Sequence, residues 1–149
     1  MIFPDKYAHD SDSSTGFALF RVYELWSASV KKALRPAGVT HPQFTILTVV
    51  SYLSRTRAAV SQAAAAAASG IDPMTVSGIV GNLEKRGLIA RTRDPSDSRA
   101  WDLALPEDGR VVLGQSFPLV EAANDAFFAV LDNESEFRSM LHQLREDHQ

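Results

Sequence analysis

Gly70-Ile71-Asp72-Pro73-Met74-Thr75-Val76-Ser77-Gly78-Ile79-Val80-Gly81-Asn82-Leu83-Glu84-Lys85-Arg86-Gly87-Leu88-Ile89 is the stretch whose reading decides the fold. Asp72 is a good N-cap, and Pro73 suits the first helical position, where a missing N–H costs nothing. Val76, Ile79, Val80 and Leu83 recur at three- and four-residue spacing and form one apolar stripe that must face a core. The opposite face carries Pro73, Thr75, Ser77, Gly78, Asn82 and Lys85, small and polar enough to lie close to base edges. Gly87 supplies the stop, after Lys85 and Arg86, whose charges suit the negative end of the helix dipole.

Beyond Gly87 the period changes to two. Leu88 to Arg93 reads as one strand and Ala100 to Leu105 as a second, with the turn-rich Asp94-Pro95-Ser96-Asp97-Ser98 between them. Arg91, Arg93 and Arg99 decorate this hairpin, and Asp97 stands two residues before Arg99. Such a pair holds a guanidinium in one orientation for a narrow minor groove, where negative potential is concentrated. Trp101 shares strand parity with Leu103 and Leu105 and is expected in the core. A helix of major-groove size followed by a charged hairpin is the shape of a winged helix-turn-helix reader of DNA.

This order of elements resembles the MarR family of bacterial transcription regulators. The resemblance is carried by Ile71 to Ser77, Leu83 to Ile89, Asp94 to Arg99 and Leu103-Ala104-Leu105, with Gly38 to Phe44 looking like the entry to the family's second helix. It spans the chain from about Phe17 to Leu144. It implies a mainly α fold with a small β-hairpin wing, forming a winged helix-turn-helix core flanked by N- and C-terminal dimerisation helices. It also implies a homodimer on a pseudo-palindromic double-stranded DNA operator, released when a small molecule binds. The chain is then a single domain over 1–149, with a DNA-binding core at about 39–106 and dimerisation helices at about 13–36 and 107–146. The expected DNA-contacting set is Pro73, Met74, Thr75, Ser77, Gly78, Asn82, Lys85, Arg91, Arg93, Asp97 and Arg99. Arg86 is left outside it, since it can instead pair with Glu84 or pack under the wing.

Composition agrees with one modest core in 149 residues. No run is long and apolar enough to cross a bilayer, and the N-terminus lacks the basic start and apolar run of a signal peptide, so a cytoplasmic protein is expected. The absence of cysteine excludes disulfides and thiolate metal sites. The net charge of −3 is unusual for a DNA binder, but it is unevenly spread. Residues 21–62 carry six Lys/Arg against one Glu, and residues 119–149 carry two Arg against seven Asp/Glu. Residues 72–99 themselves net only +1. Attraction to phosphate is therefore modest per subunit, and dimerisation matters more for affinity.

The remaining chain reads as helical scaffold. Ser13, Ser14 and Thr15 offer caps to a first amphipathic helix bearing Leu19, Val22, Tyr23, Trp26 and Val30; Thr40 caps a second and Ser61 a third. Pro106 suits the start of a long helix through Val130, with a kink or break expected at Pro118, and Asn133 caps a last helix. The terminal helices carry apolar faces that nothing else in the chain is large enough to cover, which argues for a partner subunit. The third helix is occupied by six alanines, Ala63 to Ala68, where the resemblance implies larger residues at Ala65 and Ser69. Each missing leucine-sized group forfeits on the order of 2–3 kcal/mol unless bulky neighbours fill the gap. If they do not, the motif is looser and more easily shifted by a ligand.

By the same resemblance, a small aromatic or phenolic effector would bind between dimerisation helices and core, with Tyr23, Trp26, His41 and Phe44 as lining candidates. His9, His41, His142 and His148 show no metal-ligand spacing, so neither a metal nor another cofactor is expected. No nucleophile elbow, phosphate-cradling glycine loop or His-Glu-x-x-His occurs, so no enzyme is expected. The rival reading is a winged-helix protein-interaction module that has lost DNA binding, motivated by the acidic balance and the alanine-filled helix.

Overall fold

The caps expected from the sequence close the helices they precede. In the computed structural model, which describes residues 14–93 and 101–148, the order is α1 (Thr15–Ala33), α2 (His41–Leu53), α3 (Gln62–Ser69), α4 (Pro73–Lys85), β1 (Ala90–Arg93), β2 (Trp101–Ala104), α5 (Glu107–Phe128) and α6 (Glu134–Glu146). The Ser14 hydroxyl accepts from Phe17 N at 3.3 Å. Thr40 forms a full capping box, its Oγ1 accepting from Gln43 N while Gln43 Oε1 accepts from Thr40 N. Ser61 and Asn133 accept from Ala64 N and Glu136 N, and Asp72 Oδ1 accepts from both Met74 N and Thr75 N. At the other end of α4, Gly87 takes φ +71°, a left-handed conformation in which a side chain would be strained, and so turns the chain into the hairpin.

The chain divides into two units whose boundaries fall inside α1 and α5. One runs from Lys31 to Val120; the other comprises residues up to Val30 together with Glu121 onward. The unit Lys31 to Val120 contains residues 39–106 and also the first part of α5, where Leu113, Ser116 and Val120 are buried.

In the winged unit, α2, α3 and α4 pack on one another and β2 packs on α2 and α3. Val76, Val80 and Leu83 of the α4 stripe are fully buried beside Ile46, Leu47 and Val50 of α2, while Ile79 is half-buried. The strands pair antiparallel with Arg91 opposite Leu103 and Arg93 opposite Trp101. Val60, just before α3, ties to the hairpin twice: Leu103 N donates to its carbonyl at 2.8 Å, and its N–H donates to Asp102 Oδ1 at 2.7 Å.

The alanine run costs less than its length suggests. Only Ala65 and Ala66 are buried, while Ala63, Ala67 and Ala68 face solvent. Ser69 is occupied locally, its hydroxyl donating to Ala66 O and accepting from Ile71 N. Of the two positions where larger residues are implied, Ala65 is buried and Ser69 is half-buried.

Three sequence expectations are corrected. First, α5 runs through Pro118 as one helix, which removes the break but not the kink among the two expected alternatives, and it ends at Phe128 rather than Val130. Gly114, whose carbonyl loses its helical donor to the proline, is exposed and can be solvated. Second, Trp101 is not core: it remains 37% exposed. Leu103 is buried, while Trp101 stands two residues earlier in β2, at the end nearer the hairpin turn. Third, Arg86 neither pairs with Glu84 nor packs under the wing; it bonds the start of α2. The turn 94–98, Asp97, Arg99 and the Ser13 cap lie outside the described residues.

In the other unit, Trp26 Nε1 donates to Asn124 Oδ1 at 2.9 Å, and Phe128 lies edge-on to Phe127 and tilted toward Phe137. Phe17, Leu19, Phe20, Val22, Tyr23 and Leu25 of α1 and Met140, Leu141 and Leu144 of α6 are exposed in the single chain. Among the described residues no single helix is long and apolar enough to cross a membrane.

Candidate nucleic-acid interface

Burial of one face of α4 leaves the opposite face in solvent. Pro73, Met74, Thr75, Ser77, Gly78, Asn82 and Lys85 are all exposed, and Met74 is 85% exposed at the helix tip. A Cβ added at Gly78 or Gly81 would meet nothing within 4 Å. A flat outer face of this kind admits close approach of another surface.

Sequence reasoning missed what holds this helix at an angle to α2. Gln43 Nε2 donates to Asn82 Oδ1 at 2.9 Å, and Arg86 donates to Gln43 Oε1 at 3.2 Å and to Gly38 O at 2.8 Å. Arg86 thereby clamps the end of α4 to the capping box of α2. Asn82 has its carbonyl occupied by Gln43, so what it offers outward is its NH₂ donor. Such a group suits a phosphate oxygen or a guanine acceptor rather than the two-sided pairing with adenine. The capping box was legible in Thr40 and Gln43, but nothing local marks residues 39 and 43 positions away as their partners.

The hairpin arginines separate into two roles. Arg91 is half-buried; its Nε donates to Glu84 Oε2 at 2.9 Å, its Nη2 ion-pairs with the same oxygen, and its Nη1 reaches Gln62 Oε1 at 3.3 Å. The Arg91 guanidinium thus braces the wing against α4 and α3. Arg93 is exposed and lies over the Trp101 ring, 4.7 Å from its centroid. Asp97 and Arg99 lie outside the described residues.

The Arg91 hydrogen bond holds the Glu84 carboxyl below its ordinary value of 4.5; desolvation opposes it, and the charge of Arg91 adds a lesser downward pull. A depressed carboxyl stabilises the fold above its unfolded value, and that contribution is lost as pH falls through the lowered folded value. Acidification below pH 4.5 is therefore expected to loosen the wing from α4. In a Trp26→Phe background, Trp101 emission should change in this range, and Glu84→Gln should abolish the transition. An identical acid transition in Glu84→Gln would assign it to other groups.

The four effector candidates do not form one described cluster. Tyr23 and Trp26, with ring centroids 6.1 Å apart, line a cavity of about 230 Å³ in the terminal-helix unit with Leu19, Val22, Phe128, Phe137 and Leu141. His41 and Phe44 belong to the winged unit. Phe44 is buried, edge-on to Phe117 at 5.4 Å, and acts as core packing. His41 is half-buried in the first turn of α2, and desolvation pushes its pKa down.

Comparison with known proteins extends these observations. The model of the MarR family matches residues 37–100. The HTH-type transcriptional regulator YdcH of Bacillus subtilis is 36% identical over 133 residues, covering 89% of this chain and 90% of its own. Among solved structures, CouR from Rhodococcus jostii RHA1 bound to p-coumaroyl-CoA superposes with a TM-score of 0.78 at 32% identity, covering 93% of this chain and 94% of that one. The transcriptional repressor CouR bound to a 23-mer DNA duplex gives a TM-score of 0.80 at 25% identity, with 95% and 96% covered.

Proposed function

This chain belongs to the MarR family of winged helix-turn-helix transcription regulators, and on that premise we propose that it is a ligand-responsive repressor binding a pseudo-palindromic operator as a homodimer. The observation that carries the reading is α4, with its apolar stripe buried and its small, polar face exposed beside an arginine-bearing hairpin. Two such helices enter successive major grooves, roughly one helical turn apart. Pro73, Met74, Thr75, Ser77, Gly78, Asn82 and Lys85 meet bases and phosphates, and Arg93, Asp97 and Arg99 serve the wing. The reading is one of binding alone, in the cytoplasm, with no bond made or broken.

Dimerisation is supported by the apolar residues that α1 and α6 expose in the single chain. Their cover by a second copy brings two modestly charged readers onto one operator, which offsets the weak phosphate attraction of each. Ligand control is supported by neighbours with small aromatic ligands, such as CouR bound to p-coumaroyl-CoA and BpsR, whose DNA binding is regulated by 6-hydroxynicotinic acid. Here Tyr23 and Trp26 offer aromatic walls for a small aromatic or phenolic effector. Such an effector acts by binding one spacing of the two reading helices better than the other.

A gel shift with DNA from upstream of the protein's own gene tests the reading. Sequence-specific retention that falls steeply with salt, by a species of dimeric mass, is expected. No retention down to low salt would favour the rival protein-interaction module, and a monomeric mass at micromolar concentration would remove the dimer.

A further inference from the structure

The exposed tryptophan on the hairpin is unusual for an aqueous surface, and its neighbours are both cationic. Arg93 stands directly opposite Trp101 across the ladder with its guanidinium carbon 4.7 Å from the ring centroid, and Arg91, on the same face, lies 5.4 Å away. Arg91 is itself bonded to Glu84 in the last turns of α4. Glu84, Arg91, Trp101 and Arg93 thus form a continuous path from the reading helix to the wing.

We propose that Trp101 is a positioning residue for DNA binding: its ring orients the Arg93 guanidinium, and through Arg91 and Glu84 it keys the wing to α4. The proposal rests on the operator-binding reading above. A guanidinium held against an indole face is restricted before DNA arrives, so it meets a phosphate or a minor-groove edge already ordered. A flexible arginine must instead lose its rotamer freedom on binding, which weakens the contact. Because the same ring also touches Arg91, a shift of α4 relative to the hairpin disturbs the stack. Wing and reading helix are therefore expected to engage DNA as one piece.

The test uses the full-length protein in two arms. Without DNA, in a Trp26→Phe background, Trp101 emission and its quenching by acrylamide should change on Arg93→Met. With operator DNA, Trp101→Leu, which keeps an apolar side chain, should weaken binding roughly five- to thirtyfold for a dimer using both wings. It should also reduce the slope of log K against log salt by about two. Trp101→Tyr, which restores an aromatic face, should recover most of both. Emission indifferent to Arg93, or Trp101→Leu with wild-type affinity and slope, overturns the proposal. So does a leucine-like result for Trp101→Tyr. A protein whose emission does respond to Arg93 but which retains no duplex at low salt instead removes the DNA reading, and this proposal with it.

Discussion

Gly109→Ala is expected to lower the melting temperature sharply. Gly109 lies in the first turn of α5, buried against the turn that leaves α4, and a Cβ there would sit 2.1 Å from Leu88 O and 3.0 Å from its carbonyl carbon. The obstructing atoms are backbone, which cannot rotate away as a side-chain end can. Leu88 and Ile89 are buried and the hairpin is tied to Val60, so relief requires moving α5 or the start of the wing. Overpacking of this kind costs about 2–4 kcal/mol. At roughly 2–4 °C per kcal/mol for a chain of this size, the expected fall is about 5–15 °C by circular dichroism or calorimetry. Gly114→Ala in the same helix is the control, since its Cβ meets nothing within 4 Å and alanine favours helix by up to about 1 kcal/mol. A Gly109→Ala melting temperature equal to wild type would mean that α5 does not approach Leu88 this closely.

Gly78→Glu should have the opposite signature, abolishing operator binding while leaving the fold intact. A Cβ at Gly78 meets nothing within 4 Å, so the side chain is accommodated in solvent, and replacing a helical glycine raises helix propensity. The carboxylate it introduces would stand on the exposed face of α4, against base-edge acceptors and phosphates. Like-charge juxtaposition and an unmatched buried acceptor cost several kcal/mol per contact, taken here as about 2–3 kcal/mol per helix. A dimer pays this at both half-sites, so affinity should fall on the order of a thousandfold or more. The measurement is fluorescence anisotropy with labelled operator beside a thermal melt. Binding at wild-type strength would show that the outward face of α4 is not the one that meets DNA.

These two glycines illustrate what could be read in the chain and what could not. Both lie in helices, and both look dispensable by propensity. Gly78 was placed correctly on the outer face because the positions of Val76, Val80 and Leu83 fix which side of α4 is inside. Gly109 carried no comparable signal, since the obstructing Leu88 carbonyl comes from another element. The hairpin shows the same division. Alternation located both strands, yet parity misplaced Trp101, because a sheet face is buried only as far as the helices beneath it extend. Arginine count pointed to a DNA-facing wing, but charge alone could not separate Arg91, committed to Glu84 and Gln62, from Arg93.

By itself the sequence determined the helix starts, the α4 stripe, the hairpin and the resemblance to a family of DNA readers. Those features depend on interactions within about four residues, or on a local period, so composition and spacing express them directly. Only the tertiary structure decided that Gln43 and Arg86 hold α4 in place and that Arg91 is bonded to Glu84 and Gln62. Apart from Arg91 and Glu84, seven residues apart, those contacts join residues 29 to 48 positions apart, whose meeting is set by how helices pack rather than by any property of either neighbourhood.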